Sequence, residues 1–318
     1  MLHSISDTVI CNTAHLSVIK VDGDDAMAFL QGQFSNDVTL LNDGDTQLNS
    51  YNSPKGRMYA AFRLCKFDAC YYLILPKDIT ETVLKRLKMF IMRSNVTLEN
   101  ISEHWKTLGI SGSQTQEALN KLNISLPEAS NHSVQSGNKF IINLSSNTTR
   151  ALAIGTESDI VDMRIALEKN YPLTQSEHWR RLDIHAGIPN IYANTMESFV
   201  AQMINFQLIN GVSFTKGCYP GQEVVARMHY LGKLKKRMYR VSLNCPAKPN
   251  DKIYNANSDN AQSVGQIVDA QENENGSFDA LAVLQVNTIE SDNLKLGSMQ
   301  GEQIRLEKLP YPFPADDK

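Results

Sequence analysis

The apolar positions along the chain change period several times. LSVIKV at 16–21 reads as a strand that stops at Asp22-Gly23, after which Asp24 or Asp25 is placed to cap a helix carrying Met27, Phe29 and Leu30. In PKDITETVLKRLKMFIMR the residues Ile79, Val83, Leu84, Leu87, Phe90 and Ile91 recur at helical spacing behind the start signals Pro76 and Asp78. Short apolar runs around Leu108-Gly-Ile110, Phe140-Ile-Ile142 and Ala151-Leu-Ala-Ile154 predict strands, alternating with helices expected over 114–122 and 159–168. The stretch 125–138, with its Pro, Ser, Asn and Gly, predicts a surface loop. The alternation predicts an α+β body rather than a doubly wound sheet. After about residue 234, MYRVSL, KIYNA, SVGQIVDA, FDALAVLQV and EQIRLEKL are short strand-like runs separated by Asn, Asp and Gly, the pattern of a small all-β module. The expected division is 1–235 and 236–318.

Composition narrows the class. With 318 residues, 42% apolar and 20% charged, the chain is long enough for two or three folded domains. It has no run of about 18 apolar residues, and its opening MLHSISDTVICNT has neither a basic leader nor an apolar h-region, so neither membrane spanning nor export is expected. The five cysteines, Cys11, Cys65, Cys70, Cys218 and Cys245, are odd in number and lack CxxC spacing, which suits a reducing cytoplasm.

The net charge of −3 is unevenly spread. Between 216 and 240 stand Lys216, Arg227, Lys233, Lys235, Lys236, Arg237 and Arg240 against the single acid Glu223, whereas 251–318 carries five bases and twelve acids. The basic strip is either a solvated loop or a surface that holds an anion, with His229, Tyr230 and Tyr239 interleaved as stacking candidates.

Phosphate loops, GxGxxG, HExxH, GxSxG and EF-hand patterns are absent, and His178, His185 and His229 lack a second ligand at metal spacing, so no metal site is expected. The densest signal is Lys216-Gly-Cys-Tyr-Pro-Gly-Gln-Glu223. Gly217 and Gly221 open backbone angles closed to other residues and Pro220 fixes direction, so Cys218 is expected on a tight turn. A nearby ammonium such as Lys216 would lower the thiol pKa and make it nucleophilic, redox-active or metal-ligating; the alternative is a half-buried apolar cysteine. Ser53-Pro-Lys-Gly-Arg-Met58 is a second turn, whose cations Lys55 and Arg57 suit carboxylate or phosphate capture, or simply join two strands. In HWRRLDIHAGIP, Trp179 shares a helical face with Leu182 and Ala186, and either stacks on a flat ring or fills core.

LQGQFSNDV at 30–38, SPKGRM at 53–58, RLDIHAGIP at 181–189 and QLINGVSFTKGCYPGQEVVARMHYLGKLKKR at 207–237 together closely resemble the YgfZ family, folate-binding, tRNA-modifying relatives of the glycine cleavage T-protein (aminomethyltransferase) superfamily. The resemblance spans essentially the whole chain. It implies two interleaved α+β subdomains within 1–235 and a C-terminal β-barrel over 236–318, arranged as a ring around a central channel that takes a folate, tetrahydrofolate or a derivative. It gives Cys218 and Lys216 the reactive turn, and places Trp179, Tyr219, Lys55, Arg57, Gln222 and Glu223 at the cofactor. A second folate tryptophan of the family is missing, its place falling near Leu16. The T-protein aspartate is also missing, since Lys55-Gly-Arg-Met58 is followed by Tyr59, and a phenol of pKa ~10 is a poor substitute for a carboxylate in acid–base work.

The expected function is a folate-binding accessory protein that supports tRNA modification and maintains iron–sulfur enzymes through Cys218. Two alternatives stand beside it: a folate-dependent one-carbon transferase acting on tRNA or a protein acceptor, and a direct tRNA binder using Arg227, Lys233, Lys235, Lys236, Arg237 and Arg240.

Overall fold

The computed structural model describes residues 3–146, 148–258, 262–290 and 293–314. The chain begins with β1 (Val9–Asn12), β2 (Leu16–Asp22), α1 (Ala26–Gln31), β3 (Thr46–Asn52), β4 (Met58–Phe67), β5 (Cys70–Pro76), α2 (Thr80–Lys88) and β6 (Thr97–Asn100). It continues with β7 (Trp105–Ser111), α3 (Thr115–Asn120), β8 (Ser133–Ser136), β9 (Lys139–Asn143), β10 (Arg150–Thr156), α4 (Glu157–Glu168), β11 (Leu173–Thr174), α5 (Ser176–His185) and α6 (Gln222–Leu231). The last strands are β12 (Lys236–Leu243), β13 (Lys252–Asn255), β14 (Gly265–Glu272), β15 (Phe278–Gln285), β16 (Leu294–Leu296) and β17 (Ile304–Glu307).

Three sheets result. One has the order β3-β4-β5-β2-β6, a second β11-β1-β7-β10-β9-β8, and a third β16-β13-β14-β15-β12-β17. β1 and β2 are adjacent in the chain yet enter different sheets, and the chain crosses back between β6 and β7, so the first two sheets are interleaved. β4, MYAAFRLCKF, is buried along nearly its whole length because both faces are covered. Ala60, Phe62 and Leu64 pack into one cluster with Phe29, Leu30 and the α2 residues Val83, Leu84 and Leu87, while Met58 and Ala61 join another with Ile184 and Phe206. Each large apolar side chain so buried contributes about 1.5–3 kcal/mol. In the third sheet, Lys295 bridges Gln303 and the Leu296 N–H donates to the Glu302 carbonyl at 2.9 Å, which brings β16 round to the strand beside β12 and nearly closes the barrel.

Several local expectations change. Asp25 occupies the N-cap position of α1, but its carboxylate accepts from the Asn95 N–H at 2.7 Å and Asp24 accepts from the Asn95 side chain, so neither caps the helix. Helix α2 ends at Lys88, which leaves Phe90 half exposed although Ile91 still packs on the core. The predicted loop 125–138 contains the edge strand β8, paired with β9. The basic strip is loop only in part: Lys216 lies on the bend before α6 and Lys233 and Lys235 in the connection after it, while Arg227 is on α6 and Lys236, Arg237 and Arg240 are on β12. Among the described residues no helix is long and apolar enough to cross a membrane.

Candidate functional site: a clamped cysteine bend and a tryptophan cavity

The bend before α6 is fixed at both ends. Lys216 is buried, and its Nζ donates to the carbonyls of Gln31, Phe34 and Asn36 at 2.8, 2.6 and 2.8 Å. These oxygens lie at the last residue of α1 and just beyond it, where carbonyls have no helical partner. Burial pushes the Lys216 ammonium down to about 8, with Asp37 opposing. An ammonium has three donors and all three are engaged here, so Lys216 forms a structural clamp and donates no hydrogen bond to Cys218. Tyr219 is buried under the same Nζ, 5.2 Å from its ring centroid.

At the other end Gly221 takes φ +78°, and a Cβ there would lie 2.5 Å from the Ser53 carbonyl oxygen and 2.6 Å from Gly56 Cα. Gly56, at φ +70°, in turn abuts Val224 of α6. The two turns singled out in the sequence therefore pack on each other. Gly217 differs: its φ is not positive and nothing lies within 4 Å of a Cβ built on it, so the special freedom expected of it is unused. Cys218 is exposed between these anchors. Gln222 donates to the Lys216 carbonyl at 3.3 Å and Glu223 is exposed in the first turn of α6. Lys55 is exposed at the tip of its turn, whereas Arg57 donates to the Ser198 carbonyl at 2.8 Å and ties that turn to the stretch after α5.

Trp179 lies elsewhere, on α5, with its indole against β7. Gly109 makes room for it, since a Cβ there would stand 2.3 Å from the ring. Trp179 lines a cavity of about 60 Å³ together with Leu16, Arg63, Arg150, Asp183 and Phe206, among others. Arg150, 1% exposed, donates to Asp183 at 2.8 Å and holds its guanidinium 5.3 Å from the Trp179 ring centroid. Burial raises the Asp183 carboxyl above its ordinary range against the opposing pull of Arg150. Arg63 donates to Thr46 and Asn131, and burial lowers it to about 10. Leu16, the place of the family's second tryptophan, does face this cavity. Tyr59 does not: it is buried in the opposite core with Arg86 3.9 Å from its ring centroid.

Asp183, Arg150 and Arg63 were not among the expected site residues. Asp183 had a signal, because it stands four residues after Trp179 and so on the same helical face. The carboxylate, the guanidinium with an unpartnered buried Nε, and the indole match the N–H donors, acceptors and flat face of a pterin. The free space holds only a few waters, so a flat ring would fit only if the lining side chains moved apart. Cys218, Lys55, Arg57, Gln222 and Glu223 do not line this cavity.

The basic strip splits in two. Arg227, Lys233 and Lys235 are exposed and Lys236 is half-buried. Arg237 and Arg240 are turned into the barrel and α5: Arg237 is buried with its guanidinium 4.5 Å from the Phe313 centroid, and Arg240 donates to His185 at 2.7 Å. Tyr239 is likewise barrel core. Near α6, Phe214 stacks on His229 at 3.7 Å and His229 meets the exposed Tyr230 edge-on at 4.8 Å. Among the described residues no three His, Cys, Asp or Glu side chains gather as a metal-ligand set.

Residues 3–145 match the family model of the GCVT N-terminal domain. The chain is 30% identical over 319 residues to the tRNA-modifying protein YgfZ of Colwellia psychrerythraea strain 34H, covering 99% of this chain and 97% of that protein. It is 29% identical over 305 residues to the tRNA-modifying protein YgfZ of Yersinia pestis strain Pestoides F, covering 95% and 92%. The crystal structure of the glycine cleavage system aminomethyltransferase T from Bartonella henselae superposes with a TM-score of 0.74 over 96% of this chain and 86% of that one, at 11% identity. The fold is therefore that of the T-protein, with two interleaved α+β sheets and a C-terminal barrel.

Proposed function

The chain belongs to the YgfZ family, and from that premise we propose that it is a cytoplasmic folate-binding accessory protein that supports tRNA modification, with iron–sulfur enzymes of that pathway as its clients and Cys218 as its reactive group. The observation that carries this reading is the presentation of Cys218: an exposed thiol on a bend whose flanks are held by Lys216 and by the Gly221–Gly56 contact. A thiol exposed on a mobile loop would meet any electrophile; one held at a fixed angle selects its partner by approach. A reduced folate supplies one-carbon chemistry when bound. Trp179 gives its ring a flat wall, Asp183 accepts its N–H groups, and Arg150 orients that carboxylate.

The test is complementation of a deletion strain. Cys218→Ser should accumulate as a folded protein yet fail to restore modified nucleosides in tRNA, measured by mass spectrometry of digested tRNA. Full restoration would overturn the reading.

Direct contact with tRNA has its own support in the exposed Arg227, Lys233, Lys235 and Tyr230 around α6, where an aromatic edge stands among cations. Three phosphate contacts, one for each cation, would give a log–log salt slope of about −2 for single strands. Binding that ignores salt would reject it. One-carbon transfer to tRNA or a protein acceptor has less behind it, because the turn after Gly56 places Tyr59 in the core and the cavity carboxylate Asp183 is tied to Arg150.

A further inference from the structure

The second half of α2 and the turn after it carry charge of one sign. From Thr82 to Ser94 the chain holds Lys85, Arg86, Lys88 and Arg93 and no acid. The nearest acids before them are engaged elsewhere: Glu81 accepts from the Asn100 side chain at 2.7 Å, and Asp78 from the Ala193 N–H at 2.9 Å. Lys85, Lys88 and Arg93 are exposed, but Arg86 is half-buried, with its guanidinium 3.9 Å from the Tyr59 ring centroid. Tyr51 stands beside it, the two phenol rings 5.4 Å apart.

Arg86 is a cation without an oxygen acceptor. It makes no ion pair or hydrogen bond among the described residues, and its Nε–H is buried unpartnered. The aromatic face under it answers the charge but takes none of its N–H groups, and buried donors left in that state are rare. Tyr51 and Tyr59 are 2% and 8% exposed; both oxygens keep some contact with solvent, and neither is hydrogen-bonded among the described residues. Burial pushes the Tyr51 phenol up to about 12 against the pull of Arg86, so this hydroxyl holds its proton at neutral pH.

We propose that Arg86, Tyr51 and Tyr59 form a phosphate-binding site, separate from the Trp179 cavity and from α6. A guanidinium fork and two phenol hydroxyls put N–H and O–H donors on adjoining groups, the complement of an oxyanion with several acceptor oxygens. The exposed Lys85, Lys88 and Arg93 draw anions toward it. Phe90, four residues after Arg86 and 50% exposed, offers a face on which a base attached to the phosphate stacks. None of the three site residues lines the Trp179 cavity, so the inference is independent of the folate reading.

The test is equilibrium binding to the full chain at low salt. Inorganic phosphate and adenosine monophosphate are followed by phosphorus NMR line broadening. Fluorescein-labelled hexauridylate is followed by anisotropy in an Arg227→Gln, Lys233→Gln, Lys235→Gln background, which removes the exposed cations around α6. Arg86→Lys keeps the charge but loses the fork, and should weaken phosphate binding by about 10-fold or more. Tyr51→Phe and Tyr59→Phe keep the rings and remove the hydroxyls, and should each weaken it by about 3-fold with thermal unfolding unchanged. With those losses in hand, hexauridylate binding that also falls in Arg86→Lys assigns the phosphate to an RNA backbone, and hexauridylate binding indifferent to that change assigns it to a free monoester such as the nucleotide. Wild type that binds none of the probes, or phosphate binding that neither Arg86→Lys nor the two Phe variants alter, overturns the site.

Discussion

Gly221 and Gly56 meet backbone to backbone, with room for no side chain between them: a Cβ on Gly221 would lie 2.6 Å from Gly56 Cα. The contact joins the cysteine bend to the Ser53–Arg57 turn and fixes the direction in which α6 leaves. Gly221→Ala combines this clash with a positive φ and should destabilise the protein by about 2–4 kcal/mol. Gly217→Ala, four residues earlier, meets nothing within 4 Å and should change stability by less than about 0.5 kcal/mol. Urea unfolding of the two variants separates a packed glycine from a merely permissive one.

Lys216→Met should be destabilising by about 2–4 kcal/mol at pH 7, because three main-chain carbonyls lose their donor at once. Lys216→Arg should not recover it, since a planar fork cannot reproduce three bonds from one nitrogen. Equal stability of wild type and the Met variant would refute the clamp.

The five cysteines should alkylate in a fixed order. Burial pushes Cys11 and Cys65 up to about 12 and also raises Cys70 and Cys245, while Cys218 is exposed. Iodoacetamide at pH 7.5 should modify Cys218 first by at least about 10-fold, and Cys218→Ser should remove the fast phase seen by peptide mass spectrometry.

Trp179 is the tryptophan at the cavity, and Trp105 stacks on Tyr72 outside that wall. Titration with 5-formyltetrahydrofolate should quench emission that Trp179→Phe removes. Asp183→Asn should weaken binding by about 10-fold or more, because the amide replaces one acceptor oxygen with a donor and loosens the contact with Arg150. Quenching that persists in Trp179→Phe would place the ligand elsewhere.

Acid should strike the join between α5 and the barrel. Burial raises the Asp279 carboxyl, but the hydrogen bonds and charge of His185 and Arg181 overcome it and bring it to about 2 from 3.8. A carboxyl lowered in the folded state adds stability that is complete above about pH 3.8 and disappears as pH falls toward 2. The amount is on the order of 2 kcal/mol. Asp279→Asn should be less stable at pH 6 and show a flatter profile between pH 4 and 2.5.

The sequence carried the bend, the barrel strands and the α2 stripe because those rest on neighbours a few residues apart. It did not reveal α6: of Val224 and Val225, only the second is buried, and two β-branched residues just after a Pro-Gly turn read as anything but helix. The role of Lys216 was hidden because its carbonyl partners lie some 180 positions away in the chain. Arg150 gave no local sign either, since its partners Asp183 and Trp179 come from another segment. Asp183 was legible in principle from its four-residue distance to Trp179.

Helix α5 faces two ways. Trp179 and Asp183 point into the cavity, while Arg180 pairs with Asp269, and Arg181 with Glu274 and Asp279, on the barrel. Any shift of α5 that widens the space around the indole must strain those ion pairs, so the barrel acts as a spring on the aperture. Occupancy of the cavity and melting of the barrel should therefore report on each other across the same ten-residue rod.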